Sequence, residues 1–127
     1  MPDAAVLAAT MRPAGQFLER IVVKDGTKVT LVPTAKLEYV EALDDYVSLA
    51  TEGKKLLKQQ TISSLEAALD PAVFVRIHRS FLVNFERVTR IEPYGKDSKV
   101  AILGNGVKLP VSRAGYERLR RLLGEKD

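Results

Sequence analysis

From Phe17 onward the chain alternates short apolar runs with polar turn residues, and few runs are long enough for a helix. "FLERIVVKDGTKVTLV" sets two β-branched runs around Asp25-Gly26. This predicts a hairpin, because a type I′ turn needs positive φ at its centre. Pro33 predicts the end of the second strand, or an edge or bulge, since proline has no N–H for a ladder. In "KLEYVEAL", Leu37, Tyr39 and Glu41 alternate with Glu38, Val40 and Ala42, which favours strand over helix. "DYVSLATEGKKLLKQQ" then predicts a second hairpin turning at Glu52-Gly53.

"SSLEAALDP" is the first helical pattern. Ser63 and Glu66 have the spacing of a capping box, Leu65, Ala68 and Leu69 share one face, and Pro71 stops the helix. "FVRIHRSFLVN", "RVTRIEPYG", "SKVAILG" and "VKLPVS" follow as strands, with a turn at Asn105-Gly106. "SRAGYERLRRLLGEKD" predicts a last helix capped by Ser112 and Gly124, with Tyr116, Leu119, Leu122 and Leu123 on its apolar side. Gly115 in its first turn should weaken it by about 1 kcal/mol relative to Ala. Residues 1–15 are Ala-rich without a period and are expected to be a linker or disordered arm. Residues 16–125 are expected to form one domain and residues 126–127 a tail. The pattern predicts a mainly β fold with a minor α contribution, either a sandwich or a set of packed sheets with one or two helices.

Composition narrows the function classes. The 127 residues are 46% hydrophobic, enough for one real core, and no apolar run is long enough to span a bilayer. The first fifteen residues lack the basic start and long apolar stretch of a secretory signal. There is no cysteine and only one histidine, so neither a disulfide framework nor a thiolate or imidazole metal site is expected. No cofactor is expected, and the cysteine usage fits a cytoplasmic protein. The net charge of +4 is unevenly spread. Residues 1–52 carry 5 Lys/Arg against 8 Asp/Glu, whereas residues 53–127 carry 15 against 8. Either the basic excess meets a polyanion, or it is part of a mixed, solvated surface.

The stretch 74–84, "FVRIHRSFLVN", raises the question of chemistry most directly. It sets Arg76, His78, Arg79 and Ser80 among residues that otherwise suit a buried strand. Catalysis is a poor fit, because a His78–Ser80 pair lacks a third orienting group and a strained elbow. Asp44-Asp45 suits a turn, and "GNG" suits a hairpin rather than a phosphate loop. Polyanion binding fits better, since arginine can grip phosphate or guanine with two parallel hydrogen bonds. Arg87 and Arg90 read instead as outward residues of a strand, and Arg118, Arg120 and Arg121 as a solvated helix face or phosphate contacts. Phe74, Phe81 and Phe85 read as core rather than stacking platforms. The two helices lie too far apart for a helix-turn-helix, so any DNA would be read from strands and loops. A β-rich protein-interaction module with a basic surface is the competing function.

The order of segments then adds what composition could not. "YVEALDDYVSLATEGKKLL", "SSLEAALDPAVFVRIHRSFLVN" and "VTRIEP…GKDSKVAILGNGVKLPVSRAGYERLRRLL" together resemble a LytTR DNA-binding domain, over about residues 17 to 123. The resemblance implies small antiparallel β-sheets packed in sequence as an elongated sandwich. It also implies sequence-specific binding of double-stranded DNA by the output domain of a bacterial transcription regulator, commonly fused after a receiver domain. Major-groove contacts would come from three loops. The first offers Asp44, Asp45, Tyr46 and Val47, the acidic pair either accepting from a cytosine amine or ordering the loop. The second offers His78, Arg79 and Ser80, with Arg79 on a base edge and Arg76 and His78 on phosphates. The third offers Ser112 and Arg113. Repeated half-sites and a homodimer on DNA follow from the resemblance alone.

Overall fold

The computed structural model describes residues 17–124, so the expected arm at 1–15 and tail at 126–127 lie outside the described residues. Among the described residues, ten strands and two α-helices follow one another in the order β1 (Arg20–Asp25), β2 (Lys28–Pro33), β3 (Leu37–Leu43), β4 (Tyr46–Thr51), β5 (Lys54–Gln59), α1 (Ile62–Ala68), β6 (Phe74–His78), β7 (Phe81–Asn84), β8 (Val88–Tyr94), β9 (Ser98–Leu103), β10 (Lys108–Val111) and α2 (Arg113–Leu123). Short 3-10 turns at Thr34–Lys36 and Phe85–Arg87 join β2 to β3 and β7 to β8.

The strands form three antiparallel sheets: the hairpin β1-β2, a central sheet ordered β5-β4-β3-β7-β6, and a C-terminal sheet ordered β10-β9-β8. Side chains alternate across a strand, so a sheet covered on both faces must be apolar on both. The central strand β4 meets that condition, with every residue from Val47 to Thr51 buried. One side of the central sheet packs Val40, Val47, Leu49 and Leu82 against Ile21, Val23 and Val32 of the hairpin and Ile62, Leu65 and Leu69 of the α1 region. The other packs Tyr39, Ala50, Val75, Ile77 and Val83 against Ala101, Leu103, Leu109, Val111 and Leu119. The hairpin, central sheet and C-terminal sheet thus stack in chain order, as the resemblance implied. Each fully buried aliphatic side chain contributes roughly 1.5–3 kcal/mol to holding them together.

Local details depart from the sequence expectations in instructive ways. The first hairpin closes at Gly26-Thr27 rather than Asp25-Gly26, because Asp25 still pairs with Lys28 and only Gly26 has positive φ there. That register places Ile21 opposite Val32, both facing the core. Helix α1 is capped by Thr61, whose hydroxyl accepts from Ser64 N–H at 3.1 Å, two residues before the expected Ser63. Leu123 is half exposed at the mouth of a cleft of about 440 Å³ between α2 and strands β8 and β9, and only Leu119 of its expected apolar set is fully buried. Asn84, fully buried, donates to the Leu37 carbonyl and accepts from Glu86 N–H, which ties the end of β7 to the start of β3.

Candidate nucleic-acid interface

The pairing of β3 with both β4 and β7 decides where the expected contact segments meet. Leu43 pairs with Tyr46 across the Asp44-Asp45 turn, and Glu41 pairs with Phe81. Ala42 N–H donates to the Ser80 carbonyl at 2.8 Å. The 44–45 and 79–80 turns therefore sit side by side at one end of the central sheet. The third segment arrives by a different route. Ser112 N–H donates to the Ile77 carbonyl at 2.8 Å, and the Ser112 hydroxyl reaches the same oxygen at 3.2 Å. Gly115 then lets the first turn of α2 lie directly on β6, for any Cβ at that position would overlap the Ile77 carbonyl. The glycine expected only to weaken the helix is a condition of its docking. Three segments separated by more than thirty residues each thus converge within a few residues of His78.

Each side chain in this cluster has a definable state. Asp44 has φ of 53°, a conformation Asp tolerates better than most residues, so the acidic turn has a backbone reason. His78 Nδ1 accepts from Ser80 N–H at 3.1 Å, which in the neutral ring leaves the proton on Nε2 as a donor. The His78 ring stands edge-on to Phe81, with centroids 5.8 Å apart. Arg79 and Arg113 are exposed, and neither guanidinium has a hydrogen-bond or ion-pair partner among the described residues. Arg113 also opens α2, just after the Ser112 hydroxyl accepts from Gly115 N–H at 3.0 Å. Tyr46 is exposed beside Leu43 at the sheet's end.

Other expected contacts are placed elsewhere. Val47 is fully buried against the hairpin and α1 side of the core, so its side chain is no surface contact; β-strand alternation turns it inward directly after outward Tyr46. The Ser112 hydroxyl is engaged as a helix cap. Arg76 is turned inward: its side chain is 14% exposed, pairs with Glu66 at 2.7 Å, and donates to the His78 and Arg79 carbonyls at 3.0 and 2.6 Å. Arg87 donates to the Ala35 carbonyl, near the start of β3, and Arg90 pairs with Glu92. Glu66 joins the site without a sequence signal for it, and Arg118, expected as a solvated residue or a phosphate contact, donates to the Arg76 carbonyl at 2.9 Å. Glu66 carried a helix-cap signal in sequence, and nothing in its spacing from Arg76 marks them as a pair.

Comparison with known proteins identifies the family and the fold. The family model for the LytTr DNA-binding domain matches residues 27–124. The sensory transduction protein LytT of Bacillus subtilis is 31% identical over 110 residues, covering 87% of this chain and 45% of LytT. The protein of the same name from Bacillus anthracis is 34% identical over 95 residues, covering 75% of this chain and 39% of that one. The chain thus spans less than half the length of these two relatives. A solved LytTr DNA-binding domain from Bacillus cereus superposes with a TM-score of 0.76 at 28% identity, over 85% of this chain and 99% of that one. In sequence and in fold alike, the chain belongs to the LytTr DNA-binding domain family.

Proposed function

We propose that this chain binds double-stranded DNA sequence-specifically, as the output domain of a transcription regulator, from the end of the central sheet where the three segments meet. The observation that carries the reading is the combination of two exposed guanidinia without a partner among the described residues, Arg79 and Arg113, with a buried scaffold that fixes the segments bearing them. Phosphate contacts position a protein on a duplex and base-edge contacts specify the site. Arg79, at the tip of the β6–β7 turn, reaches a base edge in the major groove, where guanine offers two acceptors to one guanidinium. His78 Nε2, Arg113 and the N-terminal N–H groups of α2 hold phosphates, and Tyr46 packs at the rim. Val47 and the Ser112 hydroxyl support the loops from within. The relatives' greater length fits a receiver domain in a longer parent protein, and two copies on repeated half-sites fit a regulator of this family.

Selection from a randomised duplex library, followed by titration of the enriched site, tests the reading. The wild-type chain should enrich one motif. Arg79→Ala should lower affinity for that motif by about 1–3 kcal/mol and relax preference at one base pair. Equal weakening on the motif and on random duplex would assign Arg79 to the DNA backbone, and no enrichment at all would overturn the function.

A further inference from the structure

Within this DNA-binding reading, we propose that Arg76 is a positioning residue, which shapes the β6–β7 turn from behind and never touches DNA. Its guanidinium faces three acceptors of the protein itself: Glu66 Oε1 at 2.7 Å, the His78 carbonyl at 3.0 Å and the Arg79 carbonyl at 2.6 Å. The side chain is 14% exposed, which leaves little of it for a phosphate, while Glu66 is 39% exposed and lies on α1. A carboxylate approaching DNA would be repelled, so its role is to hold Arg76 rather than to meet the duplex. Charge-assisted hydrogen bonds of this kind are the stronger ones, and a guanidinium's fixed fork dictates where its acceptors sit.

The consequence falls on the residues at the tip. The carbonyls of His78 and Arg79 both accept from one guanidinium, so their negative ends are occupied by a cation of the protein itself. The backbone between them is fixed from two points, and the Arg79 side chain leaves from that fixed backbone. Ser80 N–H meanwhile holds His78 Nδ1, which sets the direction of Nε2. The same residue also registers the third segment, because Arg118 of α2 donates to the Arg76 carbonyl at 2.9 Å. Residue 76 therefore links α1 and the reading turn through its side chain, and the helix that carries Arg113 through its main chain. A loose turn would still attract DNA by charge, yet it would present Arg79 in many directions and discriminate poorly.

The test compares the enriched motif with random duplex for wild type, Glu66→Gln, Arg76→Gln and the double variant, with salt titrations of each. A purely structural loss reduces the folded fraction and weakens both duplexes alike, so the ratio of the two affinities isolates positioning. Both single variants should lower that ratio about tenfold, on the scale of a lost charged hydrogen bond. The double variant should lose no more than the worse single, since both act through one path. The salt slope should stay at its wild-type value. If Arg76→Gln instead lowers the salt slope and Glu66→Gln leaves the ratio unchanged, Arg76 is a direct phosphate contact and the inference is overturned. A ratio unchanged in both variants at wild-type salt slope overturns it too. A wild-type chain with no preference for any duplex would defeat the DNA reading itself, a result distinct from either.

Discussion

At Gly115 two rules of residue chemistry point in opposite directions. Replacing glycine by alanine in a helix ordinarily gains about 1 kcal/mol, through helix propensity. Here the added methyl would overlap the Ile77 carbonyl, an atom of the β6 backbone that cannot rotate away. Overpacking in a closed contact costs roughly 1–3 kcal/mol, so the contact outweighs propensity and Gly115→Ala should destabilise the chain. Urea unfolding of the variant measures this directly, and a stabilised Gly115→Ala would mean that α2 does not dock as described. Ser112→Ala should cost about 1 kcal/mol in the same assay through loss of the cap. Such single-residue facts were unevenly legible in the sequence. Ser112 and Gly124 announce a helix's ends by type alone, and the structure places both where they were expected. The meaning of Gly115 depends on Ile77, which is far away in the chain and joined to it only by the fold. Arg76 shows the same limit, since its type and neighbours suggest a polyanion contact, while its partner Glu66 lies on another element.

Elements were easier to read where alternation and turn chemistry agreed. The β4–β5 hairpin turns at Glu52-Gly53 with φ of 50° and 79°, the positive pair a type I′ turn demands. The start of α1 was harder, because Thr61 and Ser63 are both acceptable caps and only the backbone distinguishes them. Thr61 is extended and its hydroxyl meets Ser64 N–H, so Thr61→Ala should cost about 1 kcal/mol while Ser63→Ala should be nearly neutral. Paired thermal melts of the two variants decide the point. Edge strand β5 offers a second prediction at this scale. Lys58 donates to the Val22 carbonyl at 2.8 Å, and burial, then the nearby Lys24 charge, hold its pKa below the ordinary lysine value. The unfolded chain therefore keeps a proton that the folded chain releases earlier as pH rises. Stability from this group rises with pH between the lowered and ordinary values, and below that window the buried charge is unfavourable. Wild type should accordingly gain stability relative to Lys58→Met between neutral pH and about pH 10. Urea titrations at both pH values test it, and a constant difference would place Lys58 in solvent.

For the whole molecule, alternation alone could predict many strands but not their order, and β5-β4-β3-β7-β6 brings together segments that no periodicity connects. The stacking of three sheets entered through the family's motif order, and so did the convergence of the three loops. Charge illustrates what the fold adds to composition. The basic excess of residues 53–127 reads in sequence as one surface, yet its arginines are spread over different elements, Arg79 at one end of the central sheet and Arg87 at the other. Arg79 lies beside the end of β3, where Ala42 N–H donates to Ser80, and Arg113 follows Ser112 at Ile77 of β6, whereas Arg87 binds Ala35 near the start of β3. Seven residues of strand separate these ends by roughly 20 Å, about two Debye lengths at physiological salt. A duplex gripped at one end therefore releases counterions through that end's cations alone. Affinity should fall by about 0.9 log units per log unit of salt for every phosphate engaged. Arg113→Ala should reduce the slope by about one such step, and Arg87→Ala and Arg90→Ala should leave it unchanged. Fluorescence anisotropy on one duplex across a salt series reads all three. Equal changes from all of them would mean that DNA meets a diffuse basic surface, and a flat wild-type profile would mean that phosphates are not engaged at all.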